Sequence, residues 1–133
     1  MTAVVARVLA IAAVLIALAS PPLREGYLSR YDQRPTDATV AAQIDYGHIT
    51  RAQVEAADVL IAVMHCWRVG ETGQMTITNS NMVTFRVSYL VIDCANPEHT
   101  AAAWMYAEGI VAELDYYAAQ EYLGDSGGWG EIE

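Results

Sequence analysis

The chain alternates between two apolar rhythms. From residue 72 to residue 95 the pattern has a period of two. Gln74–Thr78 places Met75 and Ile77 on one face, "NSN" at 79–81 marks a turn, and Thr84–Ile92 is a long apolar-rich run. That alternation predicts a β-hairpin. Val59–Met64 is a shorter apolar run of the same type, with Asp58 as a turn residue ahead of it. Gly70 and Gly73 bracket the connection between them. "IVAELDY" (110–116) alternates again, with Ile110, Ala112 and Leu114 facing one way and Val111, Glu113 and Asp115 the other.

Helical signals fall between these strands. "ATVAAQIDYG" follows a Thr36 or Asp37 cap and stops at Gly47. Thr50 with Gln53 has the capping-box spacing, which starts one or two helical turns over Arg51–Ala57. "EHTAAAWMYAEG" is dense in helix formers and ends at Gly109, and "YYAAQEYLG" is a further short helix. Strands outnumber helices, and turns recur at short spacing. The expectation is a mainly β (β+α) domain, a small barrel with one or two short helices.

The two ends depart from this rhythm. Val8–Ala19 is an uninterrupted apolar stretch behind Arg7, closed by the A-x-A pattern Ala17-Leu18-Ala19 and the Pro21-Pro22 break. Its length matches the apolar region of a signal peptide. Counted from Ala3 it reaches about seventeen residues, the minimum for a spanning helix. Residues 1–19 are therefore read as a signal peptide or an N-terminal membrane anchor, with a buried helix as the third option. Residues 20–37, rich in Pro and Arg, read as a linker or irregular segment. Residues 38–124 hold the barrel domain. Residues 125–133 ("SGGWGEIE" preceded by Asp125) read as a flexible Gly-rich tail in which Trp129 is exposed.

Composition narrows the function. In 133 residues there are 16 acidic and 7 basic side chains, for a formal net charge of −9, and every basic residue is an Arg. Such a surface repels phosphate backbones and anionic lipid headgroups, so nucleic acid is not an expected partner. Membrane contact is expected only through residues 1–20, and only if they are not cleaved. The two cysteines, Cys66 and Cys94, suggest a disulfide in an exported domain, periplasmic or extracellular. Closing a loop of about 29 residues stabilises by roughly 3.5 kcal/mol on the loop-entropy estimate. Free buried thiols are the other reading. His65 beside Cys66 and His99 after Cys94 make a Cys₂His₂ zinc site conceivable, but the usual ligand spacings are missing, so no metal and no cofactor are expected. "GDSGG" (124–128) imitates a serine-protease segment without the His and Asp context that chemistry requires.

The stretch "VTFRVSYLVIDCANPEHTAAAWMYAEGIVAELDY", a strand ending in an Asp, then a loop, a helix of small residues, a Gly and a closing strand, resembles the second half of double-psi β-barrels of the barwin, expansin and rare-lipoprotein-A type. "LIAVMHCWRVGETGQMTI" is similar to their Cys-bearing strand and turn, and "GYLSRYDQRPTD" takes the place of their N-terminal aromatic segment. "DCAN" stands where the family has "DRGP", and the family's "DLS" before the helix is absent.

The resemblance implies a six-stranded double-psi-type barrel, preceded here by the N-terminal hydrophobic helix. It also implies an exported module that binds or remodels cell-wall glycan, peptidoglycan or another polysaccharide. In the glycan-cleaving branches, an Asp matching Asp93 is the acid. Asp32 and Asp45 are candidate second carboxylates, Asp32 being the one retained. Tyr27, Tyr31 and Tyr46 are candidate sugar-stacking rings. Trp67 and Trp104 are expected in the core, and the acids of the C-terminal third, Glu113 and Asp115 among them, on a solvated face. The competing expectation is a membrane-anchored structural or interaction subunit of a larger envelope protein assembly, without catalysis.

Overall fold

The computed structural model describes residues 24–30, 37–95, 101–124 and 127–133. Six strands close a barrel: β1 (Glu25–Arg30), β2 (Val59–Val63), β3 (Thr72–Asn79), β4 (Thr84–Cys94), β5 (Ile110–Leu114) and β6 (Gly128–Ile132). Around the ring they run β1-β5-β2-β4-β3-β6, with β6 closing onto β1. Helices α1 (Asp37–Asp45) and α2 (Arg51–Ala56) connect β1 to β2. Helix α3 (Ala101–Glu108) connects β4 to β5, and α4 (Tyr116–Ala118) continues as a π turn over Ala119–Leu123.

The pairings obey a pseudo-two-fold. Exchanging β1 with β4, β2 with β5 and β3 with β6 reproduces every contact: the parallel pairs β1–β5 and β2–β4 swap, and so do the antiparallel pairs β3–β4 and β1–β6. The two crossed parallel pairs, each formed between opposite halves of the chain, are those expected of a double-psi-type barrel. The helices connect β1 to β2 and β4 to β5, strands that are not neighbours in the ring, while the parallel pair β2–β4 is joined through the 3₁₀ turn and β3.

The barrel reaches beyond the sequence boundaries of 38–124. Residues 25–30, expected as linker, form β1, and residues 128–132, expected as mobile tail, form β6 between β1 and β3. Both strands carry glycine where the barrel is tight. A Cβ on Gly130 would stand 2.6 Å from Leu28, an interior residue, and one on Gly26 would stand 2.4 Å from the Gly109 carbonyl. The N-terminal helix expected over 1–19 lies outside the described residues.

Interior positions follow the alternation. Val59, Ile61 and Val63 of β2 meet Met75, Ile77, Val87, Tyr89, Val91, Ala112 and Leu114 in one buried cluster. Each large side chain buried this way contributes about 1.5–3 kcal/mol. The outer faces of β2 and β4 are also covered. Leu90 and Ile92 pack under α1 and α2 with Val40 and Ile49, and Leu60 joins them. Met64 packs with Ala95, Ala102, Met105 and Ile110 under α3.

Local devices hold the connections. The Thr50–Gln53 capping box starts α2 as expected. Asp58 ties the turn before β2 to Ser88 through backbone and hydroxyl bonds of 2.8 and 3.0 Å. Asp115 is buried rather than solvated. Its carboxylate accepts the Tyr117 and Ala118 amides at the start of α4 and the Leu60 amide of β2. Cys66 and Cys94 form a disulfide that joins the 3₁₀ turn Cys66–Arg68 to the end of β4.

Candidate functional site

One row of outward positions crosses four strands. Ser29 of β1 pairs with Glu113 of β5, Glu113 with Ala62 of β2, and Ala62 with Asp93 of β4. Along β2, Ala62 stands between Leu60, covered by α1 and α2, and Met64, covered by α3. Ala62 is itself buried, and the two carboxylates flank it on the neighbouring strands. Their Cα atoms are separated by two strand spacings, roughly 10 Å.

A β-bulge puts Asp93 there. On β4, Val87, Tyr89 and Val91 point inward, and strict alternation would send Asp93 inward too. The register instead shifts between Ile61 and Ala62, so that Ile61 faces Val91 but Ala62 faces Asp93. Ile92 is the extra residue, and it joins Leu90 on the outer face. Bulges of this kind re-aim side chains near functional sites. Asp93 is half-buried, and one carboxylate oxygen accepts the Cys94 amide at 2.8 Å. The turn-capping role and the outward placement therefore belong to the same residue.

Glu113 is the less conspicuous acid. It is half-buried on the outer side of an otherwise buried strand. Burial pushes its carboxyl above the ordinary range, the Ser29 hydroxyl opposes this by donating a hydrogen bond at 3.2 Å, and the negative charge of Asp93 pushes it further up. Desolvation beside a second carboxylate is how a proton donor is kept neutral above the usual carboxylate range. Glu113 was expected on a solvated face. Its signal in the sequence is a single acid inside the apolar run Ile110–Leu114, next to a position that only closure of the barrel brings to Asp93.

The other expected residues scatter. Tyr27 is exposed on β1, two residues before Ser29 and on the same outer face, with its ring 5.2 Å from that of Trp129 at 84°. Tyr46 is exposed just after α1, and its ring neighbours His48, not Tyr27. Tyr31 and Asp32 lie outside the described residues. Asp45, the last residue of α1, is exposed. Trp67 and Trp104, expected in the core, are 70% and 48% exposed; His65, buried at 2%, stacks on Trp67. A cavity of about 320 Å³ opens between α2 and β3–β4, lined by Gln53, Thr72, Gly73, Gln74, Ser88 and Tyr89, and no acid lines it. Among the described residues, no three His, Cys, Asp or Glu side chains gather as a metal-binding group.

A second carboxylate lies at one barrel end. Glu71 accepts bonds from Arg68 at 2.7 and 3.3 Å and from the Tyr89 hydroxyl at 2.8 Å. Burial raises its carboxyl, but the Arg68 and Tyr89 bonds and the charges of Arg68 and Arg24 outweigh that, and its pKa falls below the usual value. Burial first, then the hydrogen bond to Glu71 and its negative charge, hold the Tyr89 phenol up at about 12.

Comparison with protein-family models, with curated proteins and with solved structures finds no match for this chain.

Proposed function

We propose that the barrel is an exported module that binds and remodels cell-wall glycan, with Glu113 as proton donor and Asp93 as its partner carboxylate. The observation that supports this most is the raised carboxyl of Glu113 beside Asp93, on the outer side of the barrel. Glycoside cleavage asks for one carboxyl that holds its proton and a second that is ionised, at a separation of about 5–9.5 Å depending on stereochemistry. Side chains reaching toward each other from strands roughly 10 Å apart can meet that demand. In this reading Glu113 gives its proton to the leaving glycosidic oxygen as the C–O bond breaks. Asp93 takes a proton from the attacking water, and Ser29 positions the Glu113 carboxyl. The Cys66–Cys94 disulfide fits an oxidising compartment.

The test is release of soluble fragments from purified peptidoglycan, run beside pull-down on the same material. Wild type is expected to bind and to release fragments. Glu113→Gln is expected to bind and to lose release by at least about a hundredfold, the usual scale for general acid–base groups. Retention without release in wild type would reduce the module to a binding domain, and no retention at moderate salt would end the glycan reading. The exposed Trp67 and Trp104 favour a second reading, an interaction subunit of an envelope assembly. Loss of a stable partner on Trp67→Ala or Trp104→Ala, with no glycan retention, would establish it instead.

A further inference from the structure

The face opposite the helical covers carries a second constellation. Tyr27 pairs with Trp129 across β1 and β6, and Glu25 pairs with Glu131 two residues along, so all four side chains share one outer face. The rings of Tyr27 and Trp129 stand 84° apart, and both are exposed, at 59% and 38%. Two rings at a right angle make a corner of electron-rich faces. Glu25 and Glu131 are directly opposed like charges, an arrangement that destabilises a sheet. Among the described residues neither of them forms an ion pair. The cation nearest in the row, Arg86 beyond Thr76, is held by Glu133 at 2.7 Å. An aromatic corner beside unneutralised carboxylates is the chemistry that receives an ammonium group.

From this juxtaposition we infer that Tyr27, Trp129, Glu25 and Glu131 form a receptor for an ammonium-bearing sugar unit. The inference rests on the glycan reading above and specifies the polymer as one with free amines. Two features select that source. Tyr27 precedes Ser29 on the same face of β1, and Ser29 holds Glu113, so the aromatic corner leads directly to the acid pair. The chain also has a net charge of −9 and no Lys, which suits a cationic polysaccharide and disfavours an anionic one. The corner would hold one amine-bearing unit by cation–π and carboxylate contacts while the neighbouring unit lies over Ser29 and Glu113.

The test compares chitosan oligosaccharides with fully N-acetylated chitin oligosaccharides of equal length, by calorimetry on the full chain. The expected result is at least about tenfold tighter binding of the amine form, with that preference lost in Trp129→Ala and kept in Trp129→Phe. Glu25→Gln with Glu131→Gln should remove the preference yet retain binding of the N-acetylated form. Thermal melting of each variant separates a lost site from a lost fold, since a variant that has lost only the site keeps a cooperative transition, and the Glu25→Gln, Glu131→Gln variant, relieved of its like-charge pair, should melt no lower than wild type. Equal binding of the two oligosaccharides would overturn the inference and leave the glycan reading standing. An amine preference that survives Trp129→Ala would show general attraction to an acidic surface, and would overturn it as well. Binding of neither oligosaccharide would overturn the inference, and the peptidoglycan pull-down would then decide the glycan reading by itself. Trp129-dependent binding of an oligolysine peptide, without chitosan binding, would reassign the corner to a protein ligand.

Discussion

Glu71 and Glu113 are both partly buried glutamates on one small barrel, and their surroundings drive them in opposite directions. Glu71 sits between the Arg68 guanidinium and the Tyr89 hydroxyl, and three hydrogen bonds favour its charged form. Glu113 has one hydroxyl donor and a negative neighbour, and its carboxyl is pushed above the ordinary value. Burial acts against the charge in both cases. The difference lies in what the fold supplies afterwards. A carboxylate that is saturated with donors closes a barrel end. One left with a single donor, beside another acid, is available for proton transfer.

The disulfide spans both regions, since Cys94 follows Asp93 and Cys66 precedes Arg68 by two residues. Replacing both cysteines by Ala should cost roughly 3.5 kcal/mol, the loop-entropy value, read as a lower urea midpoint. Both carboxylate regions should loosen together. An unchanged Glu113 titration in that variant would separate them.

Glu71→Ala should cost about 3 kcal/mol, because the 3%-exposed Arg68 side chain would be left without its partner. The same denaturant midpoint checks it. Glu113→Ala removes no such partner and should cost much less. A larger loss at Glu113 than at Glu71 would invert the assignment of structural and working acids.

Acid dependence sharpens the contrast. The folded pKa of Glu71 lies below its ordinary value of 4.5, so its stabilisation is present above that value and is lost as pH falls through the folded pKa. The folded pKa of Glu113 lies above 4.5, so its contribution is present at lower pH and is lost as pH rises through the folded pKa. Melting temperature against pH, referenced to Glu71→Gln and Glu113→Gln, should therefore give difference curves of opposite slope. Parallel curves would refute the comparison. The smallest effect is expected for Ser29→Ala. Losing that hydrogen bond should cost about 1 kcal/mol or less and let the Glu113 carboxyl rise further. The Glu113 carbon resonance, followed by NMR through a pH series, should move its midpoint upward.

Much of this architecture was legible in the chain. The hairpin β3–β4, the capping box at Thr50 and the Gly109 stop all carry local signals, and they appear where those signals put them. Strands β1 and β6 carry no such signal, because their pairings are non-local and the close approach at Gly26 and Gly130 replaces apolar side chains with hydrogen. Such stretches read as linker and tail. Asp93 was visible as an acid ending an apolar strand. Its outward direction was not, since it depends on the one-residue slip at Ile92 against β2. Glu113 was invisible for the complementary reason: what marks it is the neighbour across Ala62, and neither residue is near it in sequence. Trp67 and Trp104 show that large apolar side chains are no sure guide to the interior of so small a barrel, which fills with Ile, Val, Leu and Met.

The pseudo-two-fold has a consequence for rewiring the chain. Because β6 lies against β1, the Ile132 amide meets the Arg24 carbonyl, and the end of the barrel adjoins its beginning. A short link between them, with a new opening between β2 and β3, would place β6, β1, the α1–α2 crossover and β2 in one uninterrupted run. That run would share its strand order with β3, β4, α3 and β5. The rewired chain would read as two consecutive copies of one strand–strand–helix–strand unit, whose separate expression and reassembly would ask whether each half still encodes its share of the barrel.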